Sequence, residues 1–273
     1  MCYDAKTQLT RQIKDAIHLG DLYEAQALKM KLMKLVEDFD ASGIQDYYYH
    51  VSGYNHPLMF IYTNIDPLTP TLATWGLIPE DCKTKEEALR ISNMTLNARA
   101  ETLVERKSYA PSFENRRCVV YLEGFYEHFH KYGKTYPHLV TMKSGELMPM
   151  AGLYTDWIDP NTKEEMRTFS IVTTAANSMM KKIHNNPKLS NGPRMPVILA
   201  KDKIMDWLTP QLASNNELQK KLLTLCIPID STELSSHTVS KLKGKNTLGN
   251  VKEILDEVIY PELNHSQSTL FPD

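Results

Sequence analysis

The stretch RRCVVYLEGFYEH, residues 116–128, contains a short apolar run that ends at a glutamate and a glycine. Residues 118–122 are typical of a strand, because valine and tyrosine favour strands and glycine interrupts them. Similar runs recur after Gly43, at residues 59–63, 137–142, 168–174 and 196–200. Shorter helical patterns lie between them, over residues 85–94, 176–183 and 201–208. Because the connections are irregular rather than regularly alternating βαβ units, the pattern predicts a mixed α+β fold.

The N-terminal part of the chain has a different pattern. Between residues 7 and 39, apolar residues recur at helical spacing, with a break near Gly20 and with Asp21 as a candidate N-cap. We therefore expect two helical segments there. No internal repeat or obvious linker divides the chain, so we expect one domain over residues 1–260 and a loosely ordered tail over residues 261–273.

The composition excludes several classes of protein. Of 273 residues, 42% are hydrophobic and 23% are charged, which is typical of a globular chain and not of a disordered or fibrous one. No stretch approaches the ~20 apolar residues of a spanning helix. The four cysteines are scattered, which indicates a reducing compartment. We expect a cytoplasmic protein that does not enter a membrane.

The charge balance restricts how the chain could bind nucleic acid. Thirty-one basic residues face 33 acidic ones, for a net charge of -2, so any such binding must use a local patch. Two candidate patches are residues 177–201 and 239–252, which contain no acidic residue, although each alone also fits a solvated loop. Together they supply Lys181, Lys182, Arg194, Lys241 and Lys243.

Cys2 is the first residue with a candidate chemical role. Removal of Met1 would make it the N-terminal residue, with an α-amine of pKa ~7.7–8.0 beside a thiol of pKa ~8.5. Such a 1,2-aminothiol condenses with an aldehyde to a thiazolidine ring. The alternative is a cysteine without function in a frayed terminus.

Polar residues alternate with small apolar ones in the segment from Thr95 to Thr102. An extended conformation places Asn97, Arg99 and Glu101 on one face. An asparagine both donates and accepts hydrogen bonds and an arginine fork suits phosphate, so this face could line an anionic substrate's site. A solvated face with an Arg/Glu pair fits the spacing equally well.

Two glutamates and one histidine are candidates for acid–base chemistry. Glu123 and Glu127 follow the strand at residues 118–122, and burial against aromatic neighbours suits a glutamate to proton transfer near neutral pH. An exposed turn is the alternative. His184 lies at the end of a predicted helix, and histidine changes charge near pH 7.

Spacing arguments disfavour metals and nucleotide cofactors. No C-x-x-C or H-x-x-x-H pair lies on a predicted element, and no glycine-rich phosphate loop occurs. We expect no cofactor and no metal.

Five motifs, taken in order, resemble the SRAP family of SOS response-associated peptidases and abasic-site processing proteins. They are Met1-Cys2, WGLIP at 75–79, NARAET at 97–102, GFYE at 124–127, and His184 with RMPVIL at 194–199. The similarity extends from Cys2 to about Lys252. It implies a single α+β domain with a β-barrel-like core, flanking helices and a basic groove for single-stranded DNA. We expect a monomer.

The resemblance also implies residue roles. Cys2, exposed by loss of Met1, would trap the aldehyde of an abasic site as a Schiff base and then as a thiazolidine. Asn97 would orient the Cys2 backbone, Glu127 would transfer protons, and His184 would be a second acid or base. Arg99 would hold a phosphate near the lesion. The DNA-binding set would be Trp75, Arg99, Lys181, Lys182, Arg194, Lys241 and Lys243, with Trp75 either supporting the site or stacking on a base.

Three residues depart from the family pattern. Tyr3 and Asp4 follow Cys2 where glycine and arginine are common, and His50 stands where asparagine is common. Because a carboxylate repels phosphate, Asp4 predicts a different path for the DNA strand beside the N-terminus.

The tail carries a separate resemblance. Residues 267–271, QSTLF, are similar to short peptides that dock into bacterial sliding clamps. Gln267, Leu270 and Phe271 would make the contacts, and together with DNA binding they predict association with the nucleoid.

Two alternative functions remain open from sequence. In a thiol peptidase, Cys2 would be the nucleophile, His184 the base and Glu127 the orienting acid, with removal of Met1 as one such activity. In a noncatalytic DNA-binding module, binding would be salt-sensitive and would survive Cys2→Ser.

Overall fold

The computed structural model describes residues 2–11, 24–42, 44–188, 190–210, 216–245 and 247–264. Its strands are β1 Asp4–Gln8, β2 Tyr47–Ser52, β3 Leu58–Thr63, β4 Thr71–Trp75, β5 Asn97–Arg99, β6 Arg117–Leu122, β7 Gly124–Lys131, β8 Lys134–Met142, β9 Met148–Ile158, β10 Glu165–Ala175, β11 Arg194–Pro196 and β12 Leu234–Thr238. Its helices are α1 Glu24–Ala41, α2 Lys85–Ser92, α3 Ala110–Asn115, α4 Ser178–Ile183, α5 Ile204–Leu208, α6 Asn216–Thr224 and α7 Pro261–Asn264.

Five strands close into a barrel. They follow the order β10-β4-β3-β6-β9, and β9 pairs with β10 to complete the circle. Strand β6 is buried on both faces, because Cys118, Val120 and Leu122 pack into one core cluster while Val119 packs into another. This alternation explains why the run at residues 118–122 is almost wholly apolar. The prediction of an α+β fold with a barrel core and flanking helices is confirmed.

A second sheet, in the order β12-β8-β7-β1-β2, packs against the barrel. The chain crosses from barrel to sheet between β6 and β7, where the Glu123 N–H donates to the Lys6 carbonyl at 3.0 Å. Gly124 allows this crossing, because a Cβ there would lie 2.7 Å from the Val140 carbonyl oxygen. Residues 116–128 therefore connect the barrel to the second sheet.

Helices cover the outer face of the barrel. The aromatic rings of Phe113, on α3, and Trp207, on α5, join Leu222 of α6 in the second core cluster. Helix α1 packs against the first cluster through Phe39. Among the residues that the structure describes, no helix has both the length and the apolar character needed to span a bilayer.

Two sequence predictions were wrong in detail. The helical prediction for residues 7–39 misses β1, which ends at Gln8 and pairs with β2 and β7. The strand predicted at residues 196–200 lies earlier, at Arg194–Pro196, because β11 pairs with the end of β10 there. Gly20 and Asp21, and the tail after Asn264, lie outside the described residues.

Arg117 is a buried arginine that is held by backbone carbonyls. Its guanidinium donates to the carbonyls of Trp207 (2.9 Å), Phe113 (2.8 Å), Glu114 (2.7 Å) and Thr209. Burial lowers its pKa to about 10. Arg117→Met is expected to lower the free energy of unfolding by about 3 kcal/mol or more, because several buried carbonyls lose their donor.

Urea unfolding measures this loss. The adjacent Arg116 provides a matched control, because its side chain is 31% exposed and pairs with Glu80 at 2.6 Å. Arg116→Met is expected to cost under about 1 kcal/mol. Equal losses in the two variants would contradict the structural role of Arg117.

Candidate functional site

Cys2 lies at the point where β1, β5 and β7 come together. Its side chain is completely buried, and its carbonyl accepts a hydrogen bond from Asn97 Nδ2 at 2.9 Å. Burial raises the pKa of the Cys2 thiol, and the charges of Glu127 and Asp4 raise it further. The thiol is therefore neutral at pH 7. The antiparallel register of β1 and β7, with Asp4 opposite Tyr126, brings Glu127 to the same end of this strand pair as Cys2.

Asn97 is fixed from two sides. Strand β5 runs parallel to β10, with Asn97 opposite Ile171, and the Tyr109 hydroxyl donates to the Asn97 carbonyl at 3.1 Å. The side-chain Oδ1 of Asn97 is buried and has no hydrogen-bond partner among the residues described. A buried acceptor without a partner indicates a place where a donor binds, and this one belongs to the amide that holds Cys2.

Glu127 and His184 form a buried acid–base pair beside Cys2. Glu127 Oε2 lies 3.6 Å from His184 Nδ1, and Glu127 Oε1 accepts from the His128 N–H at 2.9 Å. His184 follows directly after α4, and the Arg194 backbone contacts its Nδ1. Burial lowers the pKa of His184, although the Glu127 carboxylate opposes this shift. The pair can accept and return protons in a site that excludes water.

The structure brings two of the unusual residues together. Asp4 is buried, and its Oδ1 lies 3.0 Å from His50 Nε2. Its Oδ2 lies 3.7 Å from Lys243 Nζ. Burial opposes ionisation of Asp4, but His50 and Lys243 outweigh it and lower the pKa of Asp4. Asp4 and His50 are therefore partners, and the Asp4 charge is neutralised inside the protein rather than presented to a phosphate.

Two residues predicted to bind DNA have other roles in the structure. Trp75 is completely buried, and its indole N–H donates to the Leu96 carbonyl at 2.9 Å, so it supports the site and has no face for a base. Arg194 is also buried and forms two hydrogen bonds with Glu101, at 3.1 and 2.7 Å. Its guanidinium is thus held by the Glu101 carboxylate.

The alternating row in residues 95–102 is only partly extended. Strand β5 ends at Arg99, and Ala100–Thr102 forms a 3-10 turn. Glu101 therefore leaves the face predicted for it and turns towards Arg194. Arg99 is half-buried, and its side chain has no hydrogen bond or ion pair within the described ranges.

The remaining basic candidates are available at the surface. Lys181, Lys182, Lys241 and Lys243 are all exposed. Lys181 and Lys182 lie in the last turn of α4, directly before Ile183 and His184. The second group lines a surface pocket with Ser240, Gly244, Lys245, Leu248 and Tyr260.

Glu123 is the glutamate to which the family resemblance gives no role, and the structure pairs it with cations. Its carboxylate pairs with Lys6 at 2.7 Å and Arg11 at 3.2 Å, and Tyr47 donates to it at 3.0 Å. Burial opposes ionisation, but these partners lower the pKa of Glu123. Glu127 lies within β7 rather than at a strand end, and it is the glutamate beside Cys2.

The sequence analysis gave no site role to His128, which follows Glu127 in β7 and whose N–H donates to Glu127 Oε1. Burial lowers the pKa of His128, while the charges of Glu127 and Asp4 oppose the shift. The signal in the sequence was its place next to Glu127. No group of three or more histidine, cysteine or acidic residues in the described part of the chain is arranged to hold a metal ion.

His138 makes stability depend on pH. Burial, and then the charges of His237 and His128, lower the pKa of His138 to about 4. Its Nδ1 has no hydrogen-bond partner in the part of the chain described. The unfolded chain binds the proton near pH 6.5 and the folded chain only near pH 4, so stability falls as the pH drops through this range. Between pH 7 and pH 5 the expected loss is about 2 kcal/mol.

Urea unfolding at the two pH values checks this expectation. His138→Phe removes the titrating group, so the free energy of unfolding of this variant is expected to fall by about 2 kcal/mol less between pH 7 and pH 5. A variant that loses as much stability as the unsubstituted protein would contradict the assignment.

The chain is similar in sequence to known proteins. A family model described as "SOS response associated peptidase (SRAP)" matches residues 22–246. The abasic site processing protein YoaM of Bacillus subtilis is 35% identical over 183 residues, which are 67% of this chain and 73% of YoaM. The abasic site processing protein HMCES of Rattus norvegicus is 30% identical over 209 residues, which cover 66% of this chain and 54% of that protein.

Solved structures match the fold. A protein from Bacteroides thetaiotaomicron superimposes with a TM-score of 0.76 at 28% identity, over 94% of this chain and 100% of that one. A Bordetella bronchiseptica protein at 19% identity, with a TM-score of 0.59 over 71% of this chain and 88% of its own, supports the fold alone.

The family match includes Asn97, Glu127 and His184, but it begins after Cys2. The place of Cys2 in the site therefore rests on its contacts. Since the match spans most of the chain, the resemblance drawn from the five motifs is confirmed, and the protein belongs to the SOS response associated peptidase (SRAP) family.

Proposed function

We propose that this protein processes abasic sites in single-stranded DNA by forming a covalent crosslink through Cys2. The observation that carries the proposal is the convergence of Cys2, Asn97, Glu127 and His184 at one buried point. Relatives named abasic site processing proteins support it.

The chemistry begins with the removal of Met1, which gives Cys2 a free α-amine beside its thiol. The amine attacks the open-chain aldehyde of the abasic sugar, and loss of water gives a Schiff base. The thiol then adds to the imine carbon, and its proton passes to the nitrogen. The product is a thiazolidine, and the net reaction releases one water molecule.

Each neighbouring residue has a function in this sequence. The unpartnered Oδ1 of Asn97 is an acceptor for the Cys2 amine, while Nδ2 holds the carbonyl. Glu127 takes the proton from the attacking amine and returns it to the departing hydroxyl. His184 is neutral at pH 7 because burial lowers its pKa, so it can accept the thiol proton during ring closure.

The exposed basic residues provide a path for the DNA backbone. Lys181 and Lys182 lie next to His184 along the chain, and Arg99 follows Asn97 by two residues. The contact of Lys243 with Asp4 brings Lys241 and Lys243 close to the start of β1. A local patch of this kind suits a protein whose net charge is only -2.

Intact-mass measurement tests the proposal. The purified protein is weighed alone and after incubation with a single-stranded oligonucleotide that carries one abasic site. We expect a mass without Met1 and a heat-stable increase equal to the oligonucleotide less one water. Retention of Met1 with no adduct would contradict the proposal, and so would an adduct on protein that retains Met1.

The geometry gives less support to the alternatives. A thiol peptidase attacks its substrate with a thiolate, and burial raises the pKa of the Cys2 thiol, whereas the crosslinking chemistry begins at the α-amine. Removal of Met1 is a step of the proposal that small residues at position 2 permit, and cleavage of Met1 by Cys2 itself stays a prediction. A DNA-binding module alone would not require the Glu127–His184 pair. The monomeric state, the nucleoid association and the clamp contacts of residues 267–271 stay predictions.

A further inference from the structure

Tyr3 and Tyr54 form an aromatic pair next to Cys2. Their ring centroids lie 5.3 Å apart, and the ring planes are inclined by 31°. The Tyr54 side chain is 46% exposed, so the pair presents an aromatic face to solvent. We call this pair the Tyr3–Tyr54 platform. Nothing in the crosslinking chemistry uses it.

The fold holds the platform rigidly. Tyr54 lies in the 3-10 turn Gly53–Asn55, and the Gly53 N–H donates to the Tyr3 carbonyl at 2.7 Å. Gly53 packs directly on the buried Trp75, because a Cβ on Gly53 would lie 3.2 Å from the indole ring. A pre-organised aromatic surface loses little conformational entropy when a ligand binds to it.

Cations flank the platform. Lys243 Nζ lies 5.6 Å from the centre of the Tyr54 ring, and Arg99 ends β5, the strand whose Asn97 holds the Cys2 carbonyl next to Tyr3. Two carboxylates lie near the platform: Asp4 is buried and paired with His50 and Lys243, and Glu127 is buried beside His184. An aromatic face between cations is the combination that binds single-stranded nucleic acid, because bases stack on the rings while phosphates contact the cations.

We propose that Tyr3 and Tyr54 stack on a nucleobase of the DNA strand beside the abasic site, while Lys243 contacts an adjoining phosphate. This inference rests on the proposed function, because it takes the same DNA as its ligand. The ligand class is an unpaired nucleotide that retains its base. The platform also gives Tyr3 a role at a position where the family commonly has glycine.

Fluorescence anisotropy with a labelled single-stranded oligonucleotide tests the platform. The oligonucleotide carries a tetrahydrofuran abasic analogue, which cannot form a Schiff base, so the measurement reports binding alone. Tyr54→Ala is expected to weaken binding about tenfold, which corresponds to about 1.4 kcal/mol. Tyr54→Phe keeps the ring and is expected to bind within about twofold of the unsubstituted protein.

Ile158→Ala is the matched control. Ile158 is 57% exposed and pairs with Glu165, the first residue of β10. Asn97 pairs with Ile171, six residues further along the same strand, so Ile158 lies away from the site. This variant loses a comparably exposed apolar side chain, and its affinity is expected to be unchanged.

Removing the base provides the second half of the test. A second tetrahydrofuran unit replaces the base on one side of the lesion and then on the other. At one of these positions the unsubstituted protein is expected to lose about tenfold in affinity, whereas Tyr54→Ala loses nothing further. Losses that add at both positions, or a Tyr54→Ala variant that binds normally, would overturn the proposal. Normal DNA binding by Tyr54→Ala is the result expected if the platform binds an aromatic or peptide ligand instead.

A parallel assay with a natural abasic site separates the two proposals. Binding that depends on Tyr54 and on the base, without a heat-stable adduct, would contradict the crosslinking function alone. An adduct together with normal binding by Tyr54→Ala would contradict the platform alone. Failure of the unsubstituted protein to bind single-stranded DNA would contradict both.

Discussion

Cys2→Ala is expected to abolish the heat-stable adduct with abasic DNA. Alanine at position 2 still permits removal of Met1, so the α-amine remains and can form a Schiff base. Without the thiol the ring cannot close, and the imine hydrolyses. Borohydride reduction before denaturation is therefore expected to trap an adduct in this variant, whereas without reduction none survives heating. Denaturing gels or intact mass measure both outcomes.

Cys82→Ala is the matched control for this experiment. Cys82 is a free, buried cysteine that lies in a core cluster with Trp157, away from Cys2. Its loss is expected to leave the adduct unchanged. A heat-stable adduct in Cys2→Ala without reduction would show that another nucleophile reacts, and its loss in Cys82→Ala would point to unfolding.

Glu127→Gln is expected to slow adduct formation by about 100-fold or more, within the ~10²–10⁴-fold range of general acid–base catalysis. Glutamine keeps the size of the side chain and can still accept from the His128 N–H, so the fold is preserved. It cannot take a proton from the amine. Single-turnover rates with excess protein measure the effect, and the final yield is expected to recover at long times.

Glu123→Gln provides the comparison, because both glutamates are 7% exposed and both come from the same stretch. Glu123 pairs with Lys6 and Arg11, so its substitution is expected to lower stability and leave the rate within about threefold. Equal rates for the two variants would contradict the proton-transfer role of Glu127.

Local patterns in the sequence identified much of the barrel. The run at residues 118–122 is β6 with one residue added, because its alternating faces are both buried. Strand β1 has the sequence DAKTQ, which contains no apolar run. It is extended because β2 and β7 supply hydrogen-bond partners on both sides, and such tertiary pairing is not encoded locally.

The site could be identified only in part, because many of its contacts also join residues that lie far apart in the chain. The motifs that include Asn97, Glu127 and His184 are not specific one by one, and only their joint occurrence in order carries the family resemblance. The partner of Arg194 lies 93 residues away at Glu101, so a basic residue in an acid-free stretch looked free when it was not. The partner of Asp4 lies 46 residues away at His50. Such pairings follow from strand register, which composition does not specify.

The pairing of β1 with β7 has a consequence for biosynthesis. Asp4 lies opposite Ser52 of β2 on one side and opposite Tyr126 of β7 on the other, so β1 can pair with β2 early but lacks its second neighbour until β7 has left the ribosome. At about 5–20 residues per second, that interval lasts on the order of ten seconds. During it the segment around Cys2 is exposed in the nascent chain, with its thiol unprotected. Folding dominated by such distant pairings is also slow, so quality control by chaperones bears on how much active protein a cell obtains.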